Sequence, residues 1–283
     1  MTDLFDFERK PARFAVMGNP VAHSKSPQIH AAFAHQCGKK ITYTAIQVDV
    51  GGFVQAAGNF QASGGQGLNI TVPFKREAWE LCEVRSERAT QAGAVNTLSF
   101  KPDGKLHGDN TDGVGLVRDI LQNHGGRIAG QRVLLLGAGG AARGALGPLL
   151  DERPAQFIIA NRSLDKAREL VTQFSDVGVI QACSYVALEG RQFDLIINGT
   201  AASLRNELPP LPDHVLADQG WCYDMMYGSV PSLFMRWGEA QGAAQVLDGL
   251  GMLVEQAAES FFIWQAVRPQ TAPVIRTLRQ AYA

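Results

Sequence analysis

The chain of 283 residues has only four cysteines and no long apolar run. The cysteines lie far apart and share no CxxC or metal-ligand spacing; they are Cys37, Cys82, Cys183 and Cys222. This pattern argues against a disulfide framework and a metal site, and it favours buried thiols in a reducing cytoplasm. No segment approaches the roughly 20 apolar residues of a transmembrane helix. The first ten residues are acidic and interrupted by charge, so we expect no signal peptide.

An excess of charge of either sign is also absent. The chain has 26 Lys and Arg against 27 Asp and Glu, a formal net charge of −1 at pH 7, and no long basic or acidic block. This balance argues against nucleic acid or a membrane surface as a partner. It fits a globular protein of one or two domains. Whether the protein is a monomer or a homodimer stays open.

The clearest positive signal is a nucleotide-binding βαβ unit in the middle of the chain. An apolar strand, Val133–Leu136, runs into the pattern GxGxxA that begins at Gly137. The first glycine permits a tight turn, and the second lets backbone N–H groups approach a pyrophosphate. We expect cofactor contacts from Gly137, Ala138, Gly139, Gly140 and Ala141. A structural turn can also use glycines in this way, so the fingerprint alone does not decide.

The next strand, Phe157–Ala160, indicates which cofactor would bind. It is followed by Asn161, Arg162 and Ser163, with Lys166 close behind. NAD enzymes place Asp or Glu at this point to accept the ribose 2′-hydroxyl, whereas cations favour a 2′-phosphate. The sequence therefore predicts NADP, held by these four residues. The same cations would also suit a solvated helix start.

Alternating strand and helix patterns predict an α/β fold with two domains. We place the first domain, with a mainly parallel sheet, at residues 1–112 and a Rossmann-like domain at residues 113–249, and we expect a helical segment, 250–283, to return to the first domain. The predicted helices span Pro27–Cys37, Phe53–Gln61, Trp79–Ala92, Asp112–Gly125, Ala167–Phe174, Gly251–Trp264 and Pro273–Tyr282. The remaining predicted strands span Phe14–Gly18, Ile41–Val48, Gly67–Val72, Val95–Phe100, Lys105–Gly108, Gly178–Gln181, Phe193–Asn198 and Gly220–Met225.

Five motifs give the chain a resemblance to shikimate dehydrogenases over nearly its whole length. They are GNPVAHSKSP (residues 18–27), NITVPFK (69–75), GAVNT (93–97), GDNTDGVG (108–115) and DGLGMLVEQ (248–256). The resemblance implies an oxidoreductase of aromatic amino-acid biosynthesis that reversibly reduces 3-dehydroshikimate to shikimate with NADPH. The first domain would then bind the substrate and the second would bind NADP.

The resemblance also implies roles for individual residues. Lys75 would be the general acid/base and Asp112 its orienting carboxylate, although which of them carries the proton stays open. Taken alone, Lys75 would be read as a surface lysine and Asp112 as a helix N-cap. The implied substrate contacts are Ser24, Ser26, Thr71, Asn96, Asp112, Tyr227 and Gln256, with the two serines and Tyr227 near the carboxylate. Met225 and Gly249 would line the nicotinamide.

Two departures from the family pattern and two rival functions remain. Ser203 stands where the family usually has glycine, which we expect to affect a loop that needs positive φ, and the segment after Tyr227 is about two residues short.

A quinate/shikimate dehydrogenase using NAD would need an acidic residue after the second nucleotide-domain strand. A catalytically silent NADP-binding regulator should have lost the Lys75 and Asp112 pair.

Overall fold

The computed structural model describes residues 10–281. The prediction that no signal peptide is present rests mainly on residues before this range. Tyr282, the last residue of the last predicted helix, lies beyond it. The described residues divide into two compact units: unit 1 holds residues 10–86, 94–109 and 257–270, and unit 2 holds 87–93, 110–256 and 271–281. The predicted division differs from this one: it placed residues 87–93, 110–112 and all of 250–283 in the first domain, whereas unit 2 holds 87–93, 110–112, 250–256 and 271–281.

Unit 1 is built on a six-stranded sheet with the order β2-β1-β3-β5-β6-β4. Its strands are β1 (Ala12–Gly18), β2 (Ile41–Gln47), β3 (Gly65–Ile70), β4 (Val84–Arg85), β5 (Thr97–Phe100) and β6 (Leu106–Asp109). β1 pairs in parallel with β2 and β3, as predicted. β5 runs antiparallel to both β3 and β6, and β4 pairs in parallel with β6. The parallel part of the sheet therefore carries the first two βα connections.

Three helices belong to unit 1: α1 (Ser26–Gln36), α2 (Phe53–Ala62) and α3 (Lys75–Leu81). The predicted helix Trp79–Ala92 is wrong. The chain becomes extended at Cys82, forms β4, and resumes as α4 (Glu87–Ala92), which lies in unit 2. The N–H of Glu83 donates to Leu106 O and that of Ser86 to Gly108 O, so pairing along β6 overrides the local helical periodicity.

The core of unit 1 is completed by residues from far along the sequence. Phe14 of β1 is buried, and the ring of Trp264 stacks on it with 4.6 Å between centroids. The Trp264 indole Nε1–H donates to Leu98 O over 3.0 Å. Phe261 packs edge-on against Phe33 of α1. Segment 257–270 is thus part of this core.

Unit 2 contains a six-stranded, wholly parallel sheet with the order β9-β8-β7-β10-β11-β12. The strands are β7 (Arg132–Leu136), β8 (Gln156–Ala160), β9 (Gln181–Cys183), β10 (Phe193–Asn198), β11 (Leu216–Asp224) and β12 (Gln245–Leu247). Strands β7, β8 and β9 form one half of the sheet and β10, β11 and β12 form the other, with β7 next to β10. This is the Rossmann strand order. The predicted α/β class with a Rossmann-like second domain is confirmed.

Besides α4, the helices of this unit are α5 (Asp112–Arg118), α6 (Gly140–Asp151), α7 (Leu164–Gln173), α8 (Leu233–Ala240), the first part of α9 (Leu250–Gln265) and α10 (Ala272–Gln280). α5 continues as a π-helical turn, Asp119–Asn123, close to the predicted end at Gly125. The sequence analysis missed α8 and β12 and placed β9 about three residues early, because the N–H of Gly178 still donates to Phe174 O at the end of α7.

No helix within residues 10–281 is both long and apolar enough to cross a membrane. Within the same residues, no group of three or more His, Cys, Asp or Glu is arranged to hold a metal ion. All four cysteines are free thiols, of which Cys82, Cys183 and Cys222 are buried.

His30 is an ionisable group in the core of unit 1. Its ring is fully buried and stacks on that of Tyr43, with 4.2 Å between centroids and 6° between planes. None of the described residues forms a hydrogen bond with either ring nitrogen. Burial lowers the pKa of His30 to about 3, so the imidazole is neutral in the folded protein at pH 7.

We expect His30 to make folding stability fall in acid. In the unfolded chain a histidine binds a proton near pH 6.5, whereas the folded protein does not until about pH 3. This group therefore does not reduce stability above about pH 6.5. As the pH falls from about 6.5 towards 3, only the unfolded chain binds the proton, and the free energy of unfolding decreases. Acidification from pH 7 to pH 5 should lower the free energy of unfolding by about 2 kcal/mol through this residue.

Urea unfolding of His30→Phe at both pH values measures this contribution. The variant should lose about 2 kcal/mol less than the native protein on acidification. His35→Gln, an exposed histidine on the same helix, should behave like the native protein. Equal losses for the native protein and His30→Phe would contradict the assignment.

Candidate active site

A cavity of about 400 Å³ lies in unit 2 where β7, β8 and β10 end. Ligands of open α/β sheets bind at this edge, next to the point where the strand order reverses, and here that point lies between β7 and β10. The cavity is lined by Gly137, Ala138 and Gly139 after β7, by Asn161, Arg162, Ser163 and Lys166 after β8, by Tyr185, and by Gly199–Ala202, Arg205 and Glu207–Pro210 after β10.

The glycine turn after β7 is shaped for a ligand. Gly137 has φ +101°, a conformation that favours glycine, and its N–H donates to Ala160 O over 2.8 Å. A Cβ built on Gly139 would meet no protein atom within 4 Å. Protein packing therefore does not demand a glycine at position 139, whereas a phosphate group approaching the backbone before α6 would.

The turn after β8 supplies positive charge to the same cavity. Asn161 Nδ2 donates to Ser163 O over 2.8 Å, which orders this turn. Arg162 and Lys166 are exposed and line the cavity. Burial raises the pKa of the Tyr185 phenol, and the positive charge of Arg162 opposes that change. These residues fit a dinucleotide that carries an additional phosphate on its ribose.

Four predicted cofactor residues do not line this cavity. Gly140 and Ala141 lie in the first turn of α6. Met225 and Gly249 pack against each other, because a Cβ on Gly249 would collide with the Met225 carbonyl. Met225 follows β11 directly, its N–H donates to Asn198 O at the end of β10 over 3.0 Å, and Gly249 lies between β12 and α9.

A buried carboxylate that the sequence analysis missed, Asp224, organises the ends of β10 and β11. It accepts hydrogen bonds from Ser203 Oγ (2.8 Å), Ser232 Oγ (2.6 Å), the Met226 N–H (3.0 Å) and Asn198 Nδ2 (3.3 Å). The only sign in the sequence was a charged residue at the end of an apolar strand. Asp224 thereby fixes the loop that lines the cavity.

The expectation for Ser203 was wrong in its physical basis. Positive φ occurs at Asn206 (φ +52°) and not at Ser203, which lies in a 3₁₀ turn, Ser203–Arg205. The Ser203 hydroxyl is instead a donor to Asp224. Tyr227 lines a smaller cavity of about 200 Å³ together with Ser203 and Ser232. The short segment after Tyr227 leads into Ser232, which caps α8 by accepting a hydrogen bond from the Met235 N–H.

In unit 1, the predicted substrate residues gather where β1 and β3 end. Ser24 and Ser26 precede and begin α1, and the Ser26 N–H donates to Ser24 Oγ over 3.3 Å. Thr71 follows β3 and approaches the end of β1 so closely that a Cβ on Gly18 would collide with its methyl group. Lys75 begins α3 and is half-buried.

Asn96 joins this group through the antiparallel strand β5. Residue Thr97 is opposite Asn69 in the sheet, so the start of β5 lies beside the end of β3. The Val95 N–H also donates to Lys75 O over 2.9 Å. Asn69 Nδ2 donates to Asn96 O and to the hydroxyls of Thr97 and Ser260, all within 3.2 Å. This network positions Asn96.

The remaining predicted substrate residues lie on adjacent helices of unit 2. Asp112 is the first residue of α5, is 9% exposed, and its N–H donates to Asn110 Oδ1 over 3.1 Å. Thr111, not Asp112, occupies the N-cap position. Thr111 Oγ1 donates to Gln256 Oε1 over 3.4 Å. Gln256 lies on α9, where a Cβ on Gly115 of α5 would collide with the Gln256 backbone, so glycine permits this close packing.

Three family models match successive parts of the chain. The shikimate dehydrogenase substrate binding domain matches residues 16–98, shikimate/quinate 5-dehydrogenase matches 119–205, and the shikimate 5′-dehydrogenase C-terminal domain matches 249–279. A curated relative from Nitrosococcus oceani, shikimate dehydrogenase (NADP(+)), is 59% identical over 270 residues, covering 95% of this chain and 96% of the relative. The chain belongs to the shikimate dehydrogenase family. The family predicted from the five motifs is confirmed.

Two solved structures have a similar fold. An Ael1 enzyme from Pseudomonas putida is 46% identical with a TM-score of 0.90, covering 94% of this chain and 98% of that one. The shikimate 5-dehydrogenase of Thermus thermophilus, solved with NADP(H) and shikimate, is 30% identical with a TM-score of 0.83 and covers 95% and 99%.

The open space at Gly139 leads to a prediction. Gly139→Ala should lower the free energy of unfolding by no more than about 1 kcal/mol, the cost of alanine at the N-cap of α6, because the new methyl group meets no protein atom within 4 Å. It should weaken NADP+ binding by roughly tenfold or more, because the methyl group would occupy space that the pyrophosphate needs. Urea unfolding and fluorescence titration measure the two effects.

Gly58→Ala in α2 is the matched control, since a Cβ there also meets no protein atom. It should not alter NADP+ binding, and it should stabilise the protein by about 0.5–1 kcal/mol, because alanine is favoured over glycine within a helix. If Gly139→Ala bound NADP+ as tightly as Gly58→Ala, the ligand role of position 139 would be wrong.

Proposed function

We propose that this chain catalyses the reversible reduction of 3-dehydroshikimate to shikimate with NADPH, acting in aromatic amino-acid biosynthesis in the reducing direction. The observation that carries the proposal is that the family motifs coincide with two sets of polar groups at strand ends. One set is the cation-lined cavity of unit 2. The other is the cluster of Ser24, Ser26, Thr71, Lys75 and Asn96 in unit 1. Unit 2 would bind NADP and unit 1 would bind the substrate.

NADP is proposed to bind unit 2 at the ends of β7 and β8. The backbone of Gly137–Gly140 and Ala141 would hold the pyrophosphate at the start of α6. Asn161 and Ser163 would position the adenosine ribose, and the cations Arg162 and Lys166 would bind its 2′-phosphate. Met225 and Gly249, which pack together beyond the end of β11, would support the nicotinamide.

When bound, the nicotinamide supplies a hydride to the ring carbonyl carbon of the substrate. Lys75 is proposed to donate a proton from its ammonium Nζ to the carbonyl oxygen, which becomes the shikimate hydroxyl, and to take the proton back in the reverse direction. Asp112 is proposed as the carboxylate that orients this lysine. Asp112 is the first helical residue of α5, and its N–H donates to Asn110 Oδ1.

The other polar residues are proposed to hold the substrate. Ser24 and Ser26 would bind its carboxylate with their hydroxyls at the start of α1, with Tyr227 contributing a further hydroxyl. Thr71, Asn96 and Gln256 would bind the ring hydroxyls. Neutral donors and acceptors suit a ligand with a single negative charge, because each then matches one hydroxyl without adding charge.

The two rivals make different demands on the residues. An NAD-dependent quinate/shikimate dehydrogenase calls for an acidic residue directly after β8, where this chain has Asn161 and Arg162. A silent regulator has no need of both Lys75 and Asp112. An assay of shikimate and quinate oxidation, each with NADP+ and NAD+, separates them: we expect the fastest turnover with shikimate and NADP+. Absence of turnover in all four combinations would support the regulator.

Loss of the proton donor should remove most activity. Lys75→Ala should lower kcat by roughly 10²- to 10⁴-fold, the usual contribution of general acid–base catalysis. NADP+ binding, measured by fluorescence titration, should stay near the native value. Lys39→Ala, an exposed lysine of unit 1, should retain full activity. A near-native kcat for Lys75→Ala would exclude Lys75 as the acid.

Arg162 should account for much of the preference for NADP. Arg162→Ala should weaken NADP+ binding by about 1.5–3 kcal/mol, roughly tenfold to a hundredfold, because a charge-assisted hydrogen bond to the phosphate is lost. Binding of NAD+ should change little and serves as the control. An equal loss for both cofactors would contradict a contact with the 2′-phosphate.

A further inference from the structure

Two charged residues outside the family motifs line the cofactor cavity. Arg205 and Glu207 follow β10, whereas Arg162 and Lys166 follow β8. β10 and β8 pair with opposite edges of β7. The cavity therefore receives charge from two chain segments that are about 40 residues apart in sequence, and a motif read along β8 alone misses the second.

The backbone after β10 brings Arg205 and Glu207 together. Arg205 ends the 3₁₀ turn, and Asn206 then adopts the left-handed conformation, with φ +52°. The N–H groups of Arg205 and Glu207 both donate to Ala202 O, over 2.9 and 3.0 Å. In this reversal Arg205 Nε donates to Glu207 Oε2 over 3.1 Å, and each side chain is 54% exposed. The pair is thus prearranged yet open to solvent and to a ligand.

We propose that Arg205 is a specificity-determining residue for NADP, acting as a third cation toward the 2′-phosphate while neutralising Glu207. This inference rests on the proposed function. Among the described residues that line the cavity, the cations are Arg162, Lys166 and Arg205, and the single anion is Glu207. Guanidinium groups match phosphate oxygens with paired N–H donors, so Arg205 would serve this phosphate well.

Glu207 gives Arg205 a second effect on specificity. Without Arg205, the Glu207 carboxylate would repel a 2′-phosphate. It would also offer the cavity an acceptor for a ribose 2′-hydroxyl, the role of the acidic residue in NAD enzymes. Removing Arg205 should therefore weaken NADP+ and not NAD+, and removing the charge of Glu207 at the same time should restore part of the loss.

A mutant cycle on the full-length chain tests this inference. The variants are Arg205→Ala, Glu207→Gln and the double variant, with Arg168→Ala as the matched control. Arg168 is an exposed arginine of α7 that pairs with Asp165 over 3.5 Å and does not line the cavity. Fluorescence titration gives Kd for NADP+ and NAD+, and titration with 2′,5′-ADP and 5′-AMP isolates the adenosine end.

For Arg205→Ala we expect Kd for NADP+ and for 2′,5′-ADP to rise roughly tenfold, and Kd for NAD+ and 5′-AMP to stay the same or fall. The double variant should recover part of the loss, and Glu207→Gln alone should bind NADP+ more tightly. The Arg205→Ala loss should shrink at high salt, because the contact is partly exposed. Arg168→Ala should match the native protein.

Other outcomes would overturn the inference. Arg205→Ala with the same NADP+ affinity as Arg168→Ala would mean that Arg205 does not reach the phosphate. An equal loss for NADP+ and NAD+ would mean that Arg205 supports only the loop. If the native protein binds NADP+ and oxidises shikimate but Arg205→Ala gives either result, only the inference about Arg205 is refuted. Native protein that binds no NADP+ refutes the proposed function as well.

Discussion

Parallel pairing makes the chain leave every strand of a sheet at the same edge. In unit 2 this brings the turns after β7, β8 and β10 to one cavity, although they begin at residues 137, 161 and 199. In unit 1 it brings the turns after β1 and β3 together, so that two serines near the N-terminus lie at the same edge as Thr71 and the start of α3. Most of the proposed ligand contacts therefore depend on neighbouring strands that run in the same direction; Asn96, which precedes the antiparallel strand β5, is an exception.

This constraint explains which features could be predicted from sequence. The strands β7, β8 and β10 are short apolar runs bounded by glycine or polar residues, so both their positions and a Rossmann-like domain could be predicted from the pattern. The cofactor turn could be predicted because Gly137 and Gly139 form a local sequence motif directly after an apolar strand. Elements that depend on distant pairing were missed. β4 has only two residues and exists through its pairing with β6, and β12 pairs only at the edge of the sheet next to β11.

The residues missed at the site share a cause. The roles of Asp224, Arg205 and Glu207 depend on contacts with other segments of the chain. Asp224, for example, accepts hydrogen bonds from residues 198, 203, 226 and 232. A buried carboxylate needs such donors, because an unsatisfied charge in a core is costly. Ser203 shows the difference most clearly: the family resemblance marked it as a departure at a position that is usually glycine, whereas in the structure its hydroxyl donates a hydrogen bond to that carboxylate.

The dependence of unit 1 on segment 257–270 has a consequence for how the protein is made. The Phe14 ring of β1 needs Trp264, Phe33 of α1 contacts Phe261, and the Asn69 amide donates to Ser260. A ribosome delivers these partners only after more than 250 residues have been synthesised. The unit that is first in sequence thus cannot complete its core until the six strands of unit 2 have all been made. During synthesis, the apolar face of β1 must therefore remain incompletely covered while the nucleotide-binding sheet assembles.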